Sequence, residues 1–148
     1  AGLTKIEIPD NVINIGGWAF SNCENLVSIK IPNSIENIET GTFSDCTSIT
    51  NIEFINNVKK IGNSAFNGCN GLKNLKIPSG VISIEEFAFG NCDELNHVEM
   101  PSSVNEIEGN IFGNCKKLVS ITIDKPEDSI AGAKWGAPDD CTVTWSDI

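Results

Sequence analysis

The sequence predicts an α/β solenoid, a right-handed superhelix in which one parallel sheet of about six strands faces short helical turns. Two observations lead to this prediction. A phenylalanine stands three positions before each of five cysteines that lie 23 residues apart, at Cys23, Cys46, Cys69, Cys92 and Cys115. A fixed period of this size indicates stacked units, because each unit can bury its apolar face only against its neighbours.

The rest of the sequence follows the same period. Each unit has the form L-x-x-I-x-I-P-x-x-V-x-x-I-[GE]-x-x-A-F-x-x-C-x-x, and no insertion or deletion interrupts it from residue 3 to residue 117. The third unit has Ile55 where four of the others have proline. We expect residues 1–123 to form six units of 23 residues, the sixth partial, and residues 124–148 to form a C-terminal capping segment.

Each part of the unit predicts one element. The alternation in L-x-x-I-x-I predicts a strand with one buried face, and the proline after it ends the strand. The spacing of A-F-x-x-C predicts a single helical turn on the far side of the coil. Asn, Asp and Gly, which are frequent at the bends, predict tight turns. We expect the repeated Leu, Ile, Phe and Cys side chains to be almost fully buried.

The phased cysteines predict a buried ladder of reduced thiols. Equivalent residues of stacked coils lie about 4.8 Å apart with parallel side chains, which suits a disulfide poorly. Redox chemistry or zinc binding would be the functional alternative, but the chain has no C-x-x-C motif and one histidine, His97. We expect thiol labelling of the native protein to reach at most Cys141, which lies outside the repeat.

Composition excludes several classes of function. The net charge is −10, and all ten basic residues are lysines, which argues against binding to nucleic acid or to an anionic membrane. No apolar run reaches the roughly 18 residues that membrane insertion requires. An enzyme would need converging acid, base or nucleophile, and His97 with Glu99 is the one conceivable pair. We therefore expect no catalysis, no cofactor and no metal site.

The repeated residues resemble the BspA-like class of leucine-rich repeats. The resemblance rests on the I-x-I-P strand, the I-G-x-x-A-F turn at residues 15–20 and 61–66, and the phased cysteines. Residues 123–126 and 135–138 are similar to the end of such arrays in Gram-positive surface proteins. The chain departs from the pattern at Glu39, Glu85 and Glu108, where glycine is usual. The resemblance implies a horseshoe-like solenoid, a cell-surface or secreted location, adhesion to host or bacterial proteins, and no catalysis.

The outward positions of the predicted strands form the candidate binding site. They are Lys5, Glu7, Lys30, Asn51, Glu53, Asn74, Lys76, His97 and Glu99. One column of these residues alternates in charge. It is either a ladder in which neighbouring opposite charges compensate one another or a mixed-charge platform for a protein or glycan partner. Trp18 and Phe87 share one phase of the repeat and are either exposed contact residues or packed on the coil surface.

The ends of the solenoid suggest a second kind of function. Trp135, Val143 and Trp145 can cover the apolar end of the last coil, but Ile6 and Ile8 of the first coil have no such cover. We expect either that more repeats precede Ala1 or that this end meets another molecule. Two hypotheses follow: an extracellular binding module, and a structural spacer or assembly unit that associates end to end through its uncapped first coil.

Overall fold

The chain winds as a parallel β-solenoid in this computed structural model, which describes residues 2–54, 57–127, 129–132 and 134–146. Each turn contains one 23-residue unit, because paired strands place a residue beside its equivalent in the next unit, as for Lys5 and Ser28. All strand pairs in the described part of the chain are parallel. The predicted solenoid of stacked parallel strands is confirmed.

Two rows of strands follow the solenoid axis. The front row is formed by the predicted L-x-x-I-x-I strands, which are β1 (Lys5–Glu7), β2 (Ser28–Ile31), β4 (Asn51–Phe54), β6 (Asn74–Lys76), β8 (His97–Met100) and β10 (Ser120–Ile123). The second row consists of two-residue strands, which are β3 (Asn37–Ile38), β5 (Lys60–Ile61), β7 (Ser83–Ile84) and β9 (Glu106–Ile107). An additional strand, β11 (Thr142–Trp145), pairs with β10.

The front strands do not form the single sheet that the sequence predicts. Strands β1, β2 and β4 make one sheet, and β6, β8, β10 and β11 make another. Backbone pairing is absent between β4 and β6, so the single-sheet prediction is wrong here. Phe54 gives a physical reason, because it stands where the other units have isoleucine or methionine. Its larger ring meets Phe66 edge to face, with 6.2 Å between ring centroids.

The predicted helical turns opposite the front row are also wrong. In these segments, the described backbone makes tight turns closed by bonds such as Ala19 N–H to Gly16 O at 3.2 Å. Two residues per unit have positive φ, and this left-handed conformation stops a right-handed helix from continuing. These pairs are Trp18 and Asn22, Gly41 and Asp45, Ser64 and Gly68, Phe87 and Asn91, and Asn110 and Asn114. The turn role predicted for Asn and Asp at the bends is confirmed.

The phenylalanines form a continuous stack through the core. Neighbouring rings from Phe20 to Phe112 stack with centroid separations of 5.6, 5.3, 5.4 and 6.3 Å. The backbone supports the stack, since Phe43 N–H donates to Ala65 O and Phe66 N–H donates to Ala88 O, both at 2.8 Å. Each coil is therefore joined to the next by ring stacking and by hydrogen bonds along the axis.

Burial at the repeat phases is nearly complete from the second unit onward, except at Ile52, Phe54 and Ile107, and it is incomplete at most positions of the first unit. Phe43, Phe66, Phe89 and Phe112 are fully buried, but Phe20 and Cys23 are only half-buried. Leu3 is 45% exposed. No coil in the structure covers this face, so the prediction of near-complete burial is wrong for the first unit.

The C-terminal segment packs on the last coil. The β11 strand places Val143 beside Ile121 and Trp145 beside Ile123. The Trp135 side chain is 3% exposed, meets Trp145 edge to face at 6.2 Å, and donates from Nε1 to Ala131 O at 3.0 Å. The same segment buries Cys141 to 2% exposure, so the prediction that Cys141 is the accessible cysteine is wrong.

The cysteine ladder consists of free thiols that bond to the backbone of the preceding coil. The thiols of Cys46, Cys69, Cys92 and Cys115 donate to phenylalanine carbonyls 26 residues earlier, at 3.1, 3.3, 3.4 and 3.0 Å. Each of these thiols therefore adds a hydrogen bond between two coils as well as filling space in the core. Burial raises the pKa of the Cys46 thiol to about 11 and also raises the pKa of Cys69.

Native thiol labelling should therefore modify Cys23 first. Its side chain is half-buried, whereas the other five cysteines are at most 2% exposed and the thiolate of Cys46 is suppressed by burial. Peptide mapping after iodoacetamide treatment near pH 8 should show modified Cys23 in native protein and six modified cysteines in denaturant. Modification of native Cys69 as fast as Cys23 would contradict the buried ladder.

Candidate functional site

The nine predicted site residues all lie exposed on one side of the solenoid. We call this side the front face, defined by the outward side chains of β1, β2, β4, β6, β8 and β10. The pleat places alternate residues of each strand on this face and their neighbours in the core. The nine residues are Lys5, Glu7, Lys30, Asn51, Glu53, Asn74, Lys76, His97 and Glu99.

Strand register brings these residues into columns, and the sheet division splits the columns into two groups. Glu7 lies beside Lys30, Lys30 beside Glu53, and Lys76 beside Glu99. The step from Glu53 to Lys76 falls where β4 and β6 are unpaired. The alternating order of charge is therefore present within each sheet but is interrupted between them.

The charged column does not form the ion-pair ladder that its order suggests. Among the described front-face residues the ion pair is Lys5 with Glu7, which lies within β1 at 3.3 Å and not across two strands. Both side chains are exposed, and exposed pairs contribute little to stability. The remaining charges of the columns are thus available for contact with a partner.

His97 lies in the second sheet, and its ring pairs with a residue of the neighbouring strand. Its Nδ1 makes a short hydrogen bond with Ser120 Oγ, and the two residues are in register across β8 and β10. Glu99 is on the same strand, two positions along. The His97 side chain therefore takes part in an exposed cross-strand pair of polar groups.

Trp18 and Phe87 are surface residues at left-handed positions of the turns. Trp18 has φ of 61° and is 55% exposed, and a Cβ at Gly41 would lie 2.3 Å from its ring. The indole therefore lies flat over Gly41, whose φ of 64° also favours glycine. Phe87 is half-buried over Gly90 and Gly113. Trp18 thus packs on the coil and still exposes about half of its surface, and its role as a contact residue for a partner stays a prediction.

The acidic bends make backbone contacts that the sequence reasoning missed. Glu85 Oε2 accepts the Asn63 N–H at 2.9 Å, and Glu108 Oε2 accepts the Glu86 N–H at 3.0 Å. Glu85 also forms an ion pair with Lys60 at 2.7 Å. Two of the glutamates that replace the usual glycine therefore join one coil to the next, which explains part of the acidic charge on the back.

A cleft of about 810 Å³ opens on the front face between the two sheets, and the sequence reasoning did not predict it. It lies between coil 3 (residues 49–71) and coil 4 (residues 72–94) and continues along the strand ends of the second sheet. Its floor is apolar, with Ile52 and Phe54 on one side and Ile77 and Met100 on the other. Its rim contains Asn51, Glu53, Lys76, Pro78, Ser79, Glu99, Pro101, Thr122 and Asp124.

The cleft had one signal in the sequence, the departure of the third unit from its repeat. Phe54 replaces an aliphatic residue in this unit alone, and Ile55 replaces the proline that four other units have. Ile55 lies outside the described residues. Four predicted site residues form part of the rim, so the cleft lies within the predicted site and divides it. They are Asn51, Glu53, Lys76 and Glu99.

The described part of the chain contains neither a cluster of metal ligands nor a membrane-spanning helix. No group of three or more His, Cys, Asp or Glu side chains among these residues could hold a metal ion. Within the same residues, no helix is long and apolar enough to cross a bilayer.

Comparison with known proteins identifies the repeat. The BspA type leucine rich repeat region matches residues 1–119 in six copies. Among functionally curated proteins, no match to this chain is found.

Solved structures of bacterial leucine-rich repeat proteins have the same fold. One from Bacteroides ovatus is 28% identical with a TM-score of 0.86, over 97% of this chain and 36% of that protein. A leucine rich cell surface protein from Faecalibacterium prausnitzii is 35% identical with a TM-score of 0.81, over 84% of this chain and 33% of that protein. A leucine-rich repeat protein of T. pallidum shares the fold at 22% identity, with a TM-score of 0.82 over 100% of this chain and 71% of that protein. The chain spans about a third of the length of the first two proteins.

Proposed function

Because the chain belongs to the BspA-type leucine-rich repeat family, we propose that it is a non-catalytic binding module of a cell-surface or secreted protein. It recognises a protein or glycan partner through the front face and the adjoining bends. A surface location is supported by the Faecalibacterium prausnitzii relative, which is described as a leucine rich cell surface protein. The observation on which the proposal mainly rests is the front face itself, where nine polar and charged side chains are exposed and those within each sheet are in register.

The size of the front face limits how tightly it can bind. Paired front strands lie about 4.8 Å apart, so the four paired spacings span roughly 19 Å, to which the gap between β4 and β6 adds, and the exposed width is about 15 Å. A specific protein interface usually buries about 800 Å² on each partner, which is more than this area. Strong binding would therefore also use flanking bends such as the one that presents Trp18, or several copies of the module.

Charge reversal in the centre of the front face should weaken partner binding. Lys76→Glu and Glu53→Lys each change a side chain that is exposed and has no ion-pair partner among the described residues. Each change should cost the fold at most about 1 kcal/mol. Binding to a front-face partner should fall by more than about tenfold in at least one of the two variants, because central contacts dominate interface energy.

The test is surface plasmon resonance with partners found by screening immobilised host and bacterial surface proteins and glycans. Lys116→Glu is the matched control, since it makes the same charge change on an exposed residue away from the front face. If the control weakens binding as much as the two front-face variants, or if those two leave every partner's binding unchanged, the front face is not the site.

A second function, assembly end to end, is favoured by the apolar surface of the first coil. Leu3 is 45% exposed and Ile13 is 81% exposed, and Ile6, Ile8 and Val12 are only half-buried. If this surface joins copies of the chain, sedimentation should show a mass that rises with concentration and falls in Ile6→Ser. A monomer at all concentrations would exclude this function.

A further inference from the structure

The gap between β4 and β6 leaves main-chain groups of both strands unpaired. Ile77 N–H donates to Glu99 O at 3.0 Å, so this residue and Leu75 direct their main-chain groups toward β8. Successive residues of a strand face opposite neighbours, so Asn74 and Lys76 face the gap. Ile52 and Phe54 hold the same repeat phase as Leu75 and Ile77, and they face the gap from the other side.

The gap also exposes part of the core that the other coils cover. Ile52 is half-buried, whereas its equivalents Ile29, Val98 and Ile121 are 2%, 1% and 0% exposed. Phe54 is likewise half-buried, whereas the equivalent Ile31 is fully buried. An opening to the core that is flanked by unpaired strand edges has the features of a site for an added extended segment.

The charges at the rim of the cleft indicate which kind of extended segment the cleft would bind. Glu53, Glu99 and Asp124 line the cleft together with one cation, Lys76, so the rim carries a net negative charge. The whole chain also has a net charge of −10, which attracts basic partners over a longer range. Basic side chains would therefore be favoured at this rim and acidic ones disfavoured.

We propose that the cleft between β4 and β6 binds an extended polypeptide segment that contains lysine or arginine. The main chain of the segment pairs with the free N–H and C=O groups of β4 and β6. Its apolar side chains contact Ile52 and Phe54, and its basic side chains lie near Glu53 and Glu99. This inference rests on the proposed binding function and specifies the class of partner.

The direct test is an NMR titration with two synthetic peptides of eight residues, one alternating valine and lysine and one alternating valine and glutamate. The lysine peptide should shift the amide resonances of Ile52, Phe54, Asn74 and Lys76, and the glutamate peptide should not. A lysine peptide with N-methylated amides should lose the interaction, because it cannot form a ladder. Equal shifts with both charged peptides, or no shift at the four amides, would overturn the proposal.

Two variants separate the cleft from simple charge attraction. Phe54→Ile restores the aliphatic residue of the repeat and should close the gap between β4 and β6. The affinity for the lysine peptide should then fall at least tenfold while the protein stays folded. The double variant Glu53→Gln with Glu99→Gln should also weaken binding of the lysine peptide. The control is Glu24→Gln with Glu106→Gln, which changes exposed residues elsewhere and should leave this binding unchanged. Undiminished binding by Phe54→Ile would overturn the cleft as the site.

The same variants distinguish this inference from the proposed function. If a screened partner binds Phe54→Ile normally and still loses affinity with Lys76→Glu, the front face remains the binding surface and the cleft proposal fails. Occupation of the cleft by a second copy would appear as a dimer that Phe54→Ile dissociates, and this result would also overturn a basic peptide as the occupant.

Discussion

Replacing Phe66 with alanine is expected to lower the free energy of unfolding by about 3 to 5 kcal/mol. Its ring is fully buried, stacks on Phe43 at 5.3 Å and on Phe89 at 5.4 Å, and meets the edge of Phe54. The substitution leaves a cavity in the middle of the solenoid, where coils on both sides depend on the same contacts. Urea denaturation followed by circular dichroism measures the loss.

Phe20→Ala is the matched control for this substitution. Phe20 occupies the same phase but is half-buried and stacks on one ring only, at 5.6 Å. We expect a loss of less than half that of Phe66→Ala, because both the buried area and the cavity are smaller. Equal losses at the two positions would show that the stack does not stabilise the central coils more than the first one.

Asn91→Val should destabilise the protein by about 2 to 3 kcal/mol, mainly through the backbone. Asn91 has φ of 53°, a conformation that a β-branched residue adopts only with strain. Its side chain also donates to Asn67 Oδ1 at 3.2 Å and accepts from Asn114 Nδ2 at 3.1 Å. The valine variant therefore loses a ladder of side-chain bonds and strains the bend.

Asn91→Gly separates these two causes. Glycine keeps the left-handed backbone and loses only the exposed side-chain bonds, so the cost should be about 1 kcal/mol or less. Thermal and urea denaturation of the two variants give the comparison. If valine costs no more than glycine, the left-handed bend is not under the strain that its φ indicates.

The 23-residue period made most of the fold predictable from sequence. Because strands of equivalent phase stack, the positions of Phe43, Phe66, Cys69 and Ile29 in the core followed from the pattern alone. The outward residues of the front face followed from the same alternation. The family was predictable for the same reason, since its match covers the residues that repeat.

The helical turns could not be predicted correctly because spacing alone does not specify φ. Ala, Phe and Cys at i, i+1 and i+4 fit one helical turn, but positive φ at two positions per unit changes the direction of the backbone. One of these positions holds Trp18, Ser64 and Phe87, which have no general preference for a left-handed conformation. The N–H groups of Trp18 and Ser64 donate to Thr40 O and Glu86 O of the next coil, and these tertiary contacts are not visible in the spacing of the sequence.

The division of the front face could not be predicted from the sequence for a different reason. In the repeat consensus, Phe54 counts as one more apolar residue. Its ring, however, is larger and differs in shape from the isoleucine and methionine side chains at the equivalent position of the other coils. The cleft, its apolar floor at Ile52 and its rim at Asp124 arise from that local mismatch and from the packing of the C-terminal strand ends. Part of the candidate site was therefore predictable by alternation, and the rest depends on three-dimensional packing.

Amide hydrogen exchange of the free protein, measured residue by residue by NMR, tests the divided front face most directly. Asn74 and Lys76 are exposed and share repeat phases with His97 and Glu99, which pair with β6. The amides of Asn74 and Lys76 should exchange much faster than those of His97 and Glu99, because no strand pairs with their side of β6. Equal protection of the two pairs would show a continuous sheet across β4 and β6 and would contradict both the division and the cleft.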